Sequence, residues 1–80
     1  MSAVEVLYFA SLRDAAGIAQ EWVETDAADL ASLYETLRAR HGFGLARERL
    51  RVAVDGEFAS WSDAPRAGSE IAFIPPVSGG

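Results

Sequence analysis

The chain has eighty residues, half of them apolar, and seven Arg against twelve Asp plus Glu leave a net charge of -5. A chain this short buries only about 60–65% of its unfolded surface, so it holds one small core. The acidic balance argues against nucleic acid and anionic membranes, which select basic faces, and suits a basic protein partner. Lys and Cys are both missing from the sequence. Side-chain amines for Schiff bases, phosphate anchoring or isopeptide acceptance are therefore unavailable, as are disulfides, thiolate metal sites and cysteine nucleophiles. The opening Met1-Ser2-Ala3-Val4-Glu5 carries no basic region ahead of an apolar run. No apolar stretch approaches the ~18 residues of a membrane span, and the expected location is the cytoplasm.

In chain order, Val4-Glu5-Val6-Leu7-Tyr8-Phe9-Ala10 is β-branched, aromatic and almost continuously apolar, as an interior strand covered on both faces should be. Ser11 to Gly17 lacks β-formers and ends in Gly, which predicts a short helical turn or loop before a second strand near Gln20 to Glu24. The short spacing pairs these two strands as a hairpin. Leu30, Leu33, Tyr34 and Leu37 then fall at i, i+3, i+4 and i+7. This puts four large apolar groups on one stripe of a helix of about twelve residues, with Glu35, Arg38 and Arg40 facing water. Asp29 is placed as N-cap, with Asp26 as its rival, and His41-Gly42 closes the helix. Leu50 to Val54 and Glu57 to Ser60 flank Asp55-Gly56, a pair that favours a type I′ hairpin turn. Glu70 to Ile74 is a last strand, stopped by Pro75-Pro76, which lack the amide hydrogens to continue pairing.

The order β-β-α-β-β-β with a single amphipathic helix predicts an α+β fold, a two-layer sandwich of one helix on a mixed sheet of about five strands. The folded domain is expected over residues 1–74, with residues 75–80 as an extended tail. If the first and last strands are neighbours, alternation puts Val4, Val6, Ile71 and Phe73 on the helix side and Phe9, Ile74 and Phe58 on the other.

Titratable groups are plentiful but uncoordinated. His41 is the only His and is followed by Gly, which makes it an ordinary exposed residue at a helix end; nothing has metal-ligand spacing. The serines, Ser11 and Ser78 among them, lack a nucleophile-elbow context and a plausible base. Gly42-Phe43-Gly44 has neither the strand-to-helix setting nor the Lys of a phosphate loop. Trp22 and Trp61 fit core rings better than partner anchors, and Arg13 fits a solvated surface pair. The end of the chain differs, because Pro75-Pro76-Val77-Ser78-Gly79-Gly80 makes sense as a unit. Pro-Pro stiffens an extended exit, and the four residues after it reach at most roughly 13–14 Å. Gly79 and Gly80 present no side chain, so a terminal carboxylate can pass through a narrow channel to a nucleotide. A carboxylate alone is a poor electrophile. Activated as an acyl-adenylate, it can accept sulfur and carry it as a thiocarboxylate without any cysteine.

These residues resemble, over essentially the whole chain, the small sulfur-carrier subunit of molybdopterin synthase, a β-grasp family with a ubiquitin-like fold. Val6 to Ala10 with Arg13 and Gly17 is similar to that family's opening strand and turn, and Gly68 to Gly80 to its closing signature. Asp55, Ser69 and Ile74 depart mildly from residues frequent there. The resemblance implies that Gly80 is adenylated by an ATP-using, E1-like activating enzyme and converted to a thiocarboxylate. It then enters the active site of a large subunit, within a heterotetramer, to deliver sulfur to cyclic pyranopterin monophosphate. The chain itself binds no cofactor or metal on this reading, and most catalytic groups belong to the large subunit. Pro75, Pro76, Val77 and Ser78 guide the tail, and Phe9, Phe58 and Ile74 form the docking face. Three alternatives stand beside this one: a thiamine-pathway sulfur carrier, a ubiquitin-like modifier joined to a target lysine through Gly80, and a β-grasp interaction module with no covalent role.

Overall fold

A computed structural model describes residues 2–76. Strand β1 (Ser2–Tyr8) turns through Ala10, at φ 50°, into the short helix α1 (Ser11–Ala16), and β2 (Gln20–Thr25) returns antiparallel along β1. Helix α2 (Leu30–His41) follows, then a 3-10 turn at Arg47–Arg49, the hairpin of β3 (Arg51–Val54) and β4 (Glu57–Phe58), and finally β5 (Glu70–Ile74). The five strands form one sheet in the order β2-β1-β5-β3-β4. β5 lies parallel to β1 and antiparallel to β3, so the first and last strands are neighbours at the centre of a mixed sheet.

Each long element forms for a local reason. The Asp29 carboxylate accepts the Ser32 N–H at 2.8 Å, satisfying one of the unpaired donors at the start of α2. Gly42, at φ 74°, ends the helix with its N–H on the Arg38 carbonyl at 2.8 Å. Asp55 (φ 51°) and Gly56 (φ 86°) adopt the two left-handed conformations of the tight β3–β4 turn. The Asp55 N–H donates to the Glu70 carbonyl at 2.8 Å, and Asp55 Oδ1 accepts the Glu70 N–H at 2.9 Å, which ties that turn to the start of β5.

The helix stripe and the inward strand positions meet in one core. Leu30, Leu33, Tyr34 and Leu37 are fully buried against Val4, Val6, Ile71 and Phe73, each such side chain contributing about 1.5–3 kcal/mol of burial. Leu12 from α1, Val23, Phe43, Leu50 and Val52 close its margins. Tyr34 stays satisfied through its hydroxyl, which donates to the Leu45 carbonyl at 2.7 Å; burial raises its pKa.

Several positions depart from the sequence reading. Trp61 does extend the core, stacked at 5.9 Å on Phe73, but Trp22 does not: Val23 points inward, so alternation turns Trp22 out, and it is 63% exposed. His41 is no ordinary exposed helix end. The α2 terminus lies over β2, and His41 is half-buried edge-on to Tyr8 and hydrogen-bonded to Glu21. Arg38 is also half-buried rather than facing water, because Nε bends back to donate to the Phe43 carbonyl at 3.2 Å. β4 ends at Phe58 instead of Ser60, and the 3-10 turn had no periodic signal.

Candidate docking face and tail exit

The sheet surface opposite α2 is organised in rows by strand register. Leu7 lies beside Ala72, Ala72 beside Ala53, and Ala53 beside Phe58, giving an apolar row across four strands. Phe9, just past β1, and Ile74, at the end of β5, complete a shallow depression with Gly56 and Glu70 on its rim. Phe58 is 68% and Phe9 43% exposed. Rings this open contribute little to the fold, whereas a partner can bury them. The structure thus brings Phe9, Phe58 and Ile74 together on the helix-free face, as alternation predicted. Leu7, Ala53 and Ala72 belong with them and were missed, although the parity of β1, β3 and β5 carried the signal.

The same surface runs on to the end of β5. Ile74 and Phe58 are shared with a second depression lined by Glu48, Arg49, Leu50, Arg51, Pro75 and Pro76. The Arg51 guanidinium sits over the Phe58 ring at 5.4 Å, within cation–π range. Pro75 is buried and Pro76 exposed, and both lie beside two arginines and an exposed ring. The expectations for Val77, Ser78, Gly79 and Gly80 lie outside the described residues. Arg49 and Arg51 at this exit were not singled out by sequence, since their position follows from the packing of the 3-10 turn and β3 beside β5.

The main titratable cluster lies on the opposite, helix-covered side. The Tyr8 hydroxyl donates to Glu21 Oε2 at 2.5 Å, and His41 Nε2 lies 2.7 Å from the same oxygen. Burial, then the Glu21 hydrogen bond and charge, pushes the Tyr8 phenol well above its ordinary value. For Glu21, burial opposes ionisation. The hydrogen bonds from Tyr8 and His41, with the charges of His41 and Arg40, outweigh it and hold the carboxyl below its usual range. The cluster ties α2 to the β1–β2 hairpin. Among the described residues no group of three or more His, Asp or Glu side chains is arranged to hold a metal ion, and no helix is long and apolar enough to cross a membrane.

A mixed five-stranded sheet gripping one long helix, with an open apolar face running to a proline-stiffened exit, defines a ubiquitin-like β-grasp domain. The chain belongs to the ThiS family, whose match covers residues 6–80. It is 35% identical to the molybdopterin synthase sulfur carrier subunit of Homo sapiens, over 96% of this chain and 93% of that protein. It is 32% identical to the protein of the same name from Haemophilus influenzae, over 96% and 99%. The crystal structure of SAMP1 from Haloferax volcanii superposes with a TM-score of 0.81 at 31% identity, covering 99% of this chain and all of that one.

Proposed function

We propose that this chain is the sulfur carrier subunit of a molybdopterin synthase and that the carboxylate of Gly80 is its working group. The observation that carries the reading is the near full-length likeness to relatives of that name, beside a family match that runs through the Pro-Pro-Val-Ser-Gly-Gly segment. The chemistry runs in two balanced steps. Gly80's carboxylate attacks the α-phosphorus of ATP, giving the acyl-adenylate and pyrophosphate. A sulfide equivalent then forms the C–S bond as AMP leaves, giving the thiocarboxylate. With no cysteine and no lysine in the chain, that carboxylate is the one group suited to a covalent role.

Division of labour follows. The apolar row of Leu7, Ala72, Ala53 and Phe58, with Phe9 and Ile74, serves recognition by an E1-like activating enzyme and by the large synthase subunit. Pro75 and Pro76 aim the tail into each partner's active site. The catalytic groups and the ATP belong to those partners, in a cytoplasmic setting, and the substrate receiving sulfur is the cyclic pyranopterin precursor of the dithiolene.

The test is to incubate the chain with ATP, the activating enzyme and a sulfur donor, then record intact mass and conversion of the precursor in the presence of the large subunit. The expected result is an oxygen-to-sulfur mass gain localised to Gly80, with product formed. Thiocarboxylate without product moves the assignment to a carrier of another pathway, such as that of thiamine. A second reading, a protein modifier, draws on the likeness to SAMP1, a small archaeal modifier protein. It predicts an isopeptide between Gly80 and target lysines, visible as a mass adduct on those targets.

A further inference from the structure

The apolar row leaves part of the open face, and the outer edge of β2, without a role. β2 is an outermost strand six residues long, whereas the opposite edge, β4, has two. Its hydrogen-bonding phase is set where the Tyr8 N–H donates to the Ala19 carbonyl at 2.8 Å. Antiparallel alternation then turns the main-chain groups of Glu21 and Val23 inward to β1 and those of Gln20, Trp22 and Glu24 outward. The same three residues place their side chains on the open face, because Val23 is buried beneath the helix. Trp22, 63% exposed, lies beside Glu5, which lies beside Glu70 on β5; Glu24 follows on the same face of β2. One open indole, with outward main-chain groups at its own residue, is thus bordered by carboxylates.

Charge selects what can occupy this edge. A second copy pairing antiparallel about Trp22 would set Glu24 opposite Gln20 and Glu21 opposite Val23, which offers no cation to the carboxylates around the indole and brings together two chains that each carry a net charge of -5. A basic strand meets the opposite condition. We propose that the β2 edge receives an extended, basic segment of a partner protein as an added strand. Its main chain pairs with Gln20, Trp22 and Glu24, and an Arg or Lys side chain lies over the Trp22 ring between Glu5 and Glu24. β1 separates this edge from β5 and the apolar row's centre, so the proposal stands apart from the sulfur-carrier assignment.

The experiment titrates the intact, isotope-labelled chain with a short peptide alternating Arg and Thr, followed by amide and indole NMR. Three controls accompany it: the same peptide N-methylated at alternate residues, a Glu-Thr counterpart, and the Trp22→Ala chain. The expected result is movement of the Trp22 indole and of the Gln20, Trp22 and Glu24 amides, with slowed hydrogen exchange at those amides. N-methylation removes binding, the acidic peptide does not bind, and Trp22→Ala weakens affinity about fivefold or more. Shifts confined to Leu7, Phe9, Phe58 and Ile74 would overturn the proposal, as would equal binding of the N-methylated or acidic peptide. Dimerisation of the free chain through β2, or no response at millimolar peptide, overturns it as well.

Discussion

Glu21 Oε2 is where three distant segments meet, receiving the Tyr8 hydroxyl from β1 and facing His41 Nε2 from the end of α2. Replacing Glu21 with Gln removes a charge-assisted pair and is expected to cost about 1–2 kcal/mol at neutral pH. The sign of its pH dependence follows from the direction of the shift. Glu21's pKa is lowered in the fold, so its contribution is present above the unfolded carboxylate value of about 4.3 and is lost as pH falls through the folded value. Urea titrations from pH 3 to pH 7 should show wild type and Glu21→Gln converging at the acid end. Tyr8 acts in the opposite sense. Its pKa is raised in the fold, so the contribution is complete below about pH 10 and declines as pH rises beyond that. Tyr8→Phe, which keeps the ring contacts to His41 and Phe43, is expected to lose about 1 kcal/mol at neutral pH and to show a weaker alkaline decline.

At the level of elements, α2 and the β3–β4 turn are held by different physics. Leu33 is fully buried between helix and sheet, and Leu33→Ala should destabilise by about 2–5 kcal/mol through lost burial and the cavity left behind. Gly56→Ala tests backbone alone. A Cβ at Gly56 meets nothing within 4 Å, so the whole cost comes from holding an alanine at φ 86°, about 1–2 kcal/mol. Thermal melts of the two variants separate the cases. Leu33→Ala lowers stability everywhere in the core, whereas Gly56→Ala should chiefly perturb the Asp55–Glu70 tie, seen as faster amide exchange at Glu70. α2 was legible in sequence because its stripe, cap and terminator agree. The 3-10 turn at Arg47–Arg49 was not, since a single turn has no period to detect.

Across the whole molecule, the helix side supplies stability, and the open side is the surface proposed for recognition. Phe58→Asp should therefore change the melting free energy by no more than about 1 kcal/mol, because the ring is already 68% exposed. Its binding to the activating enzyme or the large subunit, measured by calorimetry, should weaken about tenfold or more. A large loss of stability with unchanged binding would place recognition elsewhere. Much of this face was readable in advance: strand parity put Phe9, Phe58 and Ile74 opposite the helix. The row continuing them through Leu7, Ala72 and Ala53 needed the register of β1, β5 and the β3–β4 hairpin, three segments that are far apart in sequence.

What the sequence determined by itself is what depends on neighbours along the chain. The α2 stripe, the Asp29 cap, the Asp55-Gly56 turn, the Pro-Pro stop and the exclusion of lysine and cysteine chemistry all belong there. Tertiary structure decided which side chains meet across the fold. Parity with Val23 sent Trp22 outward, the crossing of α2 over β2 drew His41 onto Glu21, and the β3–β5 pairing set Arg51 and Phe58 beside Pro75 and Pro76. Those contacts join residues well apart in the chain, with no local periodicity to announce them, and only the closed sheet brings them together.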